Sequence, residues 1–418
     1  MLDSPTCPRL NPRVLEASLK LLAGLFAALL LALVLQDAFE VMLLPRRVQR
    51  RLRITAIYFR AAWAAWTKLA VRLPEPRREG MLSHFGALSM LALFALWASA
   101  LIVGFGTLEW ALQAPASPAR PSSPLGEQIY MSGVTFFTLG YGDVVPHTGP
   151  ARLVAVLEAG TGIGFIAVVI GYLPVLYQLF ARREAHVIQL DGRAGSPPTA
   201  VAMLCRHAES DGLDNLDDLL REWEVWGAEL LESHLSYPML SYYRSQHANQ
   251  SWLAAVAAVM DCCALILVGV KQIPPIQARM TFTMARQVVV EMARSFRIEP
   301  SRFDGGDRLP PEAYARMQTA FAEAGLVWEG GADAQSTLLA LRAAYEPLID
   351  GLARHLLLPL AGWVPEEDAS DHSERGHRGL LARRLIEQLA DRSSTAGTVS
   401  VDPAASPWRK LRRRLRGS

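Results

Sequence analysis

The chain has few cysteines, and their spacing excludes two structural roles. Four occur among 418 residues: Cys7, Cys205, Cys262 and Cys263. No two of them have the two-residue separation of metal-binding or redox pairs, and they show no framework of the kind that cross-links small secreted domains. A disulfide scaffold and a zinc site are therefore not expected.

Signatures of catalysis are missing as well. The sequence has no Ser/His/Asp ordering, no glycine-rich phosphate loop and no set of metal ligands at a recognisable spacing. The acids between Asp211 and Glu224 lack the spacing and the glycine of a calcium loop. We therefore expect neither enzyme activity nor a bound cofactor.

Apolar sequence, in contrast, is abundant: 51% of the residues are hydrophobic, and the mean hydropathy is +0.17. Three segments are long enough to cross a bilayer. They run from about Leu19 to Leu35, from Met81 to Leu108, and from Leu153 to Phe180. The first continues to Leu44 with polar residues among the apolar ones.

A signal peptide is the alternative for the first apolar segment, although no clear cleavage site follows it. None of the three segments carries an arginine at every third position, so a voltage sensor is not expected.

The loop between the first two apolar segments, residues 45–80, is strongly basic. Its cations are Arg46, Arg47, Arg50, Arg51, Arg53, Arg60, Lys68, Arg72, Arg77 and Arg78. Because positive loops stay in the cytoplasm, this loop predicts an inward-facing connection, with the N-terminus outside. Between Ile54 and Leu73, apolar and basic residues alternate, which favours a helix lying at the inner membrane interface with Trp63 and Trp66 among the headgroups. A linker helix without membrane contact is an equal alternative.

The most specific pattern is the run Thr138-Leu139-Gly140-Tyr141-Gly142-Asp143. Gly140 and Gly142 can take backbone angles that are closed to residues with a Cβ, so successive carbonyls can turn towards one axis. Four such strands around an axis would stack rings of oxygens that replace the water shell of a dehydrated cation. Tyr141 would then pack outward and hold the ring open.

This run resembles the selectivity filter of potassium channels, written T-x-G-Y-G in that family, with Leu139 where valine is most common. The flanks fit the family order: an outer helix, a pore helix at Leu125–Phe137, the filter, a turn with Pro146 and Thr148, the basic Arg152 and an inner helix. The resemblance covers residues 81–183. It implies a homotetramer of this chain that binds K⁺ at Thr138, Leu139, Gly140 and Tyr141, with Asp143 holding the outer end of the filter against the pore helix.

The resemblance also suggests residues that support or open the pore. Many relatives carry an acid in the pore helix where this chain has Val134, so Glu158 on the inner helix is our candidate for bracing the filter, through backbone amides behind it. The alternative is that Glu158 lies at the water-filled end of the helix. Hinge candidates are Gly160, Gly162, Gly164 and Pro174. Close helix packing is an equal interpretation of the glycines.

After the pore module the sequence changes character. Residues 184–198 are predicted to be a linker, residues 199–365 a cytoplasmic helical domain, and residues 366–418 a largely disordered basic tail with one short helix at Leu380–Leu389. The apolar stretch Trp252–Val270 contains Asp261, which favours a buried helix in a soluble bundle over a fourth span. The tail, with Trp408 before a run of arginines, is suited to anionic lipid. Nucleic acid is the weaker alternative and is not an expected partner.

The sequence therefore predicts an all-α protein: residues 1–44 an extra transmembrane helix, a pore module and a C-terminal helical bundle. The expected function is passive K⁺ conduction across a bacterial inner membrane. Two alternatives stay open, namely a poorly selective cation channel and a membrane-tethered signalling protein with a vestigial pore.

Overall fold

A computed structural model describes residues 12–44, 54–113, 124–209, 212–246, 250–299 and 307–366. In these ranges the chain is helical, and its one β-bridge joins Val270 to Trp328. The helices are α1 Pro12–Met42, α2 Ile54–Ala70, α3 Glu75–Leu112, α4 Leu125–Phe136, α5 Gly149–Ala194, α6 Ala200–Glu209, α7 Leu213–Ser236, the 3₁₀ turn Pro238–Tyr242, α8 Trp252–Val268, α9 Pro275–Phe296, α10 Pro311–Glu323, α11 Ala332–Ala343 and α12 Glu346–Leu356. The predicted all-α class is confirmed. The predicted helix at Leu380–Leu389 and the tail around Trp408 lie outside the described residues.

Three helices are long and apolar enough to span a membrane: Val14–Met42, Glu75–Leu112 and Gly149–Ala194. They correspond to the three predicted segments. The second and third are extended at both ends, whereas the first begins earlier than predicted and ends at Met42, within its predicted extension to Leu44. α1 packs along α3 so closely that a Cβ at Gly104 would lie 2.7 Å from Leu31. Small residues at such contacts allow the backbones of membrane helices to approach each other.

A buried carboxylate joins α1, α2 and α3. Asp37 on α1 accepts hydrogen bonds from the backbone N–H of Thr55 at 3.1 Å, from the Thr55 hydroxyl at 2.6 Å and from Trp97 Nε1 at 3.2 Å. Thr55 stands at the start of α2, where the first backbone N–H groups have no partner within the helix. Asp37 thus caps α2 and fixes it against the outer helix.

The aromatic side of α2 lies inside the protein. Trp63 is buried against Phe85 of α3 and against Tyr242, and its Nε1 donates to the carbonyl of His355 at 2.9 Å. The expectation that Trp63 lies among lipid headgroups is therefore wrong, because the C-terminal domain supplies an aromatic surface that covers it. Contact between the opposite face of α2 and a membrane stays a prediction.

The inner helix is much longer than predicted. α5 runs without interruption to Ala194, so the predicted linker 184–198 is wrong over most of its length. Val187, Leu190 and Ala194 recur at helical spacing and are buried against the C-terminal domain, which continues the helix. The connection to α6 is therefore only a few residues long.

The C-terminal domain is built around α8, whose residues from Trp252 to Ile266 are buried. The apolar stretch is thus a core helix of this domain. Its Asp261 is fully buried and accepts hydrogen bonds from Arg308 Nη2 at 2.5 Å and from the hydroxyl of Tyr345 at 2.6 Å. Burial raises the pKa of Asp261 to about 6, against the opposing charge of Arg308.

We expect Asp261→Asn to open α8 locally, because it leaves the Arg308 guanidinium buried with a weakened counter-charge. Removing one partner of a buried pair costs about 3–5 kcal/mol. The neighbouring Cys262 and Cys263 are buried thiols that report such opening. Their rate of modification by a thiol reagent should rise about a hundredfold, since local opening sets exposure.

The matched control is Asp218→Asn, which removes an exposed partner of Arg221 and should leave the labelling rate unchanged. Equal labelling rates in the wild type and in Asp261→Asn would contradict the assigned role of this ion pair.

Candidate pore and its support

The loop that follows α4 has an alternating backbone. Thr138, Gly140 and Gly142 have φ values of 60°, 60° and 75°, whereas Leu139 and Tyr141 between them are not in the left-handed region. Such alternation turns successive N–H groups to one side of the chain and successive carbonyls to the other. The loop therefore carries a strip of carbonyl oxygens along one edge.

The hydrogen bonds show which side the N–H groups face. The N–H of Leu139 donates to the carbonyl of Val134 at 2.8 Å, that of Gly140 to the same oxygen at 3.5 Å, and that of Thr138 to Thr135 at 3.0 Å. The N–H groups thus point at the end of α4, and the carbonyls point away from it. Val134 supports the loop through its backbone, which explains why an apolar side chain suffices at this position.

The loop is exposed within one chain. The side chains of Leu139 and Tyr141 are 57% and 66% exposed. Asp143 is also exposed, and its carboxylate interacts with the hydroxyl of Tyr130 on α4. That contact is of the kind expected if Asp143 holds the filter against the pore helix. The outer sides of Leu139 and Tyr141 are left for another surface to cover.

Gly162 sits where α5 crosses the end of α4. A Cβ atom there would overlap the carbonyl oxygen of Phe136, while Gly160 and Gly164 have open space around them. The structure therefore gives Gly162 a packing role. α5 is continuous through all three glycines and through Pro174, so their hinge role stays a prediction.

Glu158 is fully buried, and it faces the pore helix. Its Oε1 accepts a hydrogen bond from the hydroxyl of Ser132 on α4, and the Ser132 oxygen also lies 2.7 Å from the carbonyl of Ile102 on α3. The expected contact of Glu158 with backbone amides is therefore wrong, and so is its placement at a water-filled helix end. Its partner is a side chain, because α4 presents Ser132 to α5 at this level.

Two further buried polar residues adjoin this contact. Glu109 of α3 is fully buried and interacts electrostatically with Glu158, and Gln128 lies one turn before Ser132 on α4. The side-chain atoms of Glu109 and Gln128 have no hydrogen-bond partner among the described groups. Glu109, Gln128, Ser132 and Glu158 are termed here the polar cluster. Within it, Ser132 of the pore helix links the carbonyl of Ile102 on the outer helix to Glu158 on the inner helix.

Sequence reasoning missed Glu109, Gln128 and Ser132. The available signal was Glu109 itself, an acid at the end of an apolar segment, since ionisable residues in such segments mark functional sites. The predicted outer helix ends at Leu108, so Glu109 falls just beyond it, in the loop. The real helix continues to Leu112 and places the acid inside the pore module.

The segment Met239–Ser245, termed here the coupling segment, joins the C-terminal domain to both long helices of the pore. Arg183 of α5 is buried and donates to the carbonyls of Leu240 at 2.8 Å and Tyr243 at 2.7 Å. Arg244 binds Glu79 on α3 at 2.9 Å. Displacement of the C-terminal domain is therefore transmitted to α3 and α5 directly.

A buried histidine lies beside this junction. His234 of α7 packs against Trp252, and its Nε2 is 3.4 Å from Arg183 Nη1. Burial, reinforced by the charge of Arg183, lowers the pKa of His234 well below its ordinary value. The neutral imidazole is thus the form that fits against the arginine.

Comparison with known proteins identifies relatives of this chain. A family model described as ion channel matches residues 86–178. Protein LctB of Geobacillus stearothermophilus is 33% identical over 98 residues, which cover 21% of this chain and 72% of LctB. The chain belongs to this ion-channel family.

The chain also resembles the uncharacterized membrane protein YdjJ of Bacillus subtilis (strain 168), with 25% identity over 221 residues. That match covers half of the chain and 61% of YdjJ, which is less than two thirds of the relative's length. No solved structure matches the chain. The family match begins at Gly86 and ends at Gln178, so it spans most of the outer helix, the pore helix, the filter loop and most of the membrane part of α5.

We expect Gly162→Ala to disrupt the pore, because the added methyl group meets a backbone carbonyl that cannot move without shifting the filter loop. Overpacking of this kind costs about 1–3 kcal/mol. The yield of folded, correctly assembled protein on size-exclusion chromatography and its ion flux should both fall. Gly171→Ala, on the same helix, in open space and not among the hinge candidates, is the control and should behave as wild type. Equal effects of the two substitutions would remove the packing role of Gly162.

Proposed function

We propose that the channel is a potassium-selective pore completed by four copies of the chain. The observation that carries this proposal is the strip of carbonyls along Thr138–Gly142, held from behind by the end of α4. Rings of backbone carbonyls replace the hydration shell of K⁺ and pass ions between adjacent sites. Thr138, Leu139, Gly140 and Tyr141 supply those oxygens.

The exposure of the loop supports assembly. Irregular backbone is not tolerated against lipid, since its polar groups have no partner there; it occurs at membrane depth only inside protein or beside water. Leu139 and Tyr141 need a covering surface on one side, and the carbonyls need water or cations on the other. A ring of identical chains provides both, and closed rotational symmetry is the usual arrangement of such copies.

The C-terminal domain acts as a gating or assembly module in this proposal. The coupling segment binds α3 and α5 at the ends remote from the filter loop, where a change in helix position opens or closes the inner mouth. The positive loop 45–80 places this domain in the cytoplasm and the N-terminus outside. The bacterial relatives favour the plasma membrane of a bacterium as the location.

We expect liposomes containing the purified channel to pass K⁺ with little Na⁺, and Gly142→Ser to abolish the flux while the tetramer persists. A side chain at Gly142 opposes its left-handed φ of 75°. Flux assays with reversal potentials in mixed K⁺ and Na⁺ measure selectivity, and cross-linking counts the copies.

A reversal potential that does not change with the K⁺ gradient would favour the poorly selective channel. Flux that is absent in wild type, or unchanged in Gly142→Ser, would favour a signalling protein with a vestigial pore.

The polar cluster braces the filter in this proposal, through Glu158 and Ser132. We expect Glu158→Gln and Ser132→Ala each to lower the thermal stability of the assembled channel and to shorten its conducting periods, at a cost of about 1–2 kcal/mol. The first replaces a carboxylate acceptor with a neutral amide oxygen, and the second removes the donor. The double substitution should cost little more than the larger single one, because both act on the same interaction.

Thr161→Ala is the control, since the Thr161 hydroxyl donates to the carbonyl of Leu157 within α5 and has no hydrogen bond to the polar cluster among the described residues. Unchanged conductance and stability in Glu158→Gln would end the bracing role, as would full additivity of the two substitutions.

A further inference from the structure

The stretch between Glu40 and Glu75 contains eight cations and no acid: Arg46, Arg47, Arg50, Arg51, Arg53, Arg60, Lys68 and Arg72. Among the described residues, Lys68 and Arg72 form no ion pair; Lys68 lies in the last turn of α2 and Arg72 just after it. Neighbouring cations without a counter-charge create a positive potential that attracts anions.

Lys68 and Arg72 line a cleft of about 490 Å³ between the end of α2 and the end of α12. The other lining residues are Thr67, Val71, Arg354, His355 and Leu357, so within the described part of the chain no acidic side chain lines it. Arg354 is partly neutralised by Asp350 at 2.8 Å, and His355 Nε2 has no hydrogen-bond partner among the described groups. The cleft thus combines positive charge, donor groups and two apolar side chains.

The height of the cleft along the outer helix is fixed by a hydrogen bond. Trp66 Nε1 donates to the carbonyl of Met81 at 3.0 Å, and Met81 begins the apolar stretch of α3. At the other end of that stretch, Gly106 touches Ile129 of the pore helix. At a rise of 1.5 Å per residue, Met81 and Gly106 are about 38 Å apart along α3, which exceeds the thickness of the hydrocarbon core. The cleft near Met81 therefore lies at headgroup level, on the face of the bilayer opposite the filter loop.

We propose that this cleft is a binding site for a phosphate-bearing anion, with Lys68, Arg72 and Arg354 holding the phosphate oxygens. Two sources share that chemistry: the headgroup of an anionic phospholipid and a soluble phosphate ester. The level of the cleft and its apolar wall of Val71 and Leu357 suit the glycerol part of a lipid.

Occupation of the cleft acts on the junction with the pore. The carbonyl of His355 accepts from Trp63 of α2, and the carbonyls of Leu356 and Leu357 accept from Arg244, which also binds Glu79 of α3. An anion that bridges α2 and α12 therefore strengthens the attachment of the C-terminal domain to the outer helix. This role does not depend on which ion the pore selects.

The test uses the full chain in nanodiscs of phosphatidylcholine with and without phosphatidylglycerol. Bound phosphatidylglycerol is counted by native mass spectrometry, and the melting midpoint is recorded. The double variant Lys68→Gln, Arg72→Gln should bind phosphatidylglycerol about thirtyfold more weakly and lose the stabilisation that the lipid gives. The matched control Arg279→Gln, Arg286→Gln removes the same charge from exposed positions on α9, outside the cleft, and should bind as wild type.

A second arm adds glycerol phosphate to the channel in phosphatidylcholine alone. Stabilisation there that is lost in the Lys68, Arg72 variant supports the site and assigns it to soluble esters; stabilisation by phosphatidylglycerol only supports the site and assigns it to lipid. Equal lipid binding by the two double variants, or no response to either anion, would overturn the proposal.

Discussion

The polar backbone of the filter loop is the constraint on which the rest of the structure depends. Within a bilayer, a carbonyl that faces neither a hydrogen-bond donor nor a cation costs several kcal/mol. The end of α4 takes up the N–H groups of Thr138, Leu139 and Gly140. The carbonyls on the other side of the loop then need water or a cation as partner, and the pore proposed above would supply cations without their water shells.

The supporting elements hold this loop from three directions. α4 presents the Val134 carbonyl, α5 closes against the end of α4 at Gly162, and α3 approaches α4 at Gly106. Because protein interiors are tightly packed, a shift in any one of these helices displaces the others. The continuous α5, about 69 Å long at 1.5 Å per residue, connects the C-terminal domain to the end of α4, from which the filter loop starts.

Local chemistry made part of this molecule predictable from its sequence. The filter motif, the short pore helix and the three apolar segments follow from glycine conformations and from bilayer thickness, so they are visible in the residues themselves. Asp261 likewise marked α8 as a core helix, because a carboxylate in the middle of an apolar segment is costly in lipid.

Other features could not be predicted, because they depend on which surfaces meet in space. The aromatic face of α2 suits lipid headgroups and a protein surface equally well, and only the position of Tyr242 decides between them. The partner of Glu158 lies 26 residues away on another helix, beyond any local pattern.

The polar cluster buries four polar side chains in the membrane part of the protein, at a cost in free energy that its role must explain. Apolar side chains of similar size at Glu109, Gln128, Ser132 and Glu158 would fill the space without burying polar groups, and such replacements are often neutral or stabilising. Polar groups at these positions are therefore not explained by stability. Glu109 and Gln128 are buried without a hydrogen-bond partner among the described groups, so burial of their polar atoms costs free energy that other contacts must offset. Ser132 and Glu158 make the contact between α4 and α5 directional, since a hydrogen bond tolerates less displacement than an apolar contact. The filter proposed above, whose oxygens would have to stay at fixed distances from an ion, would need that kind of support.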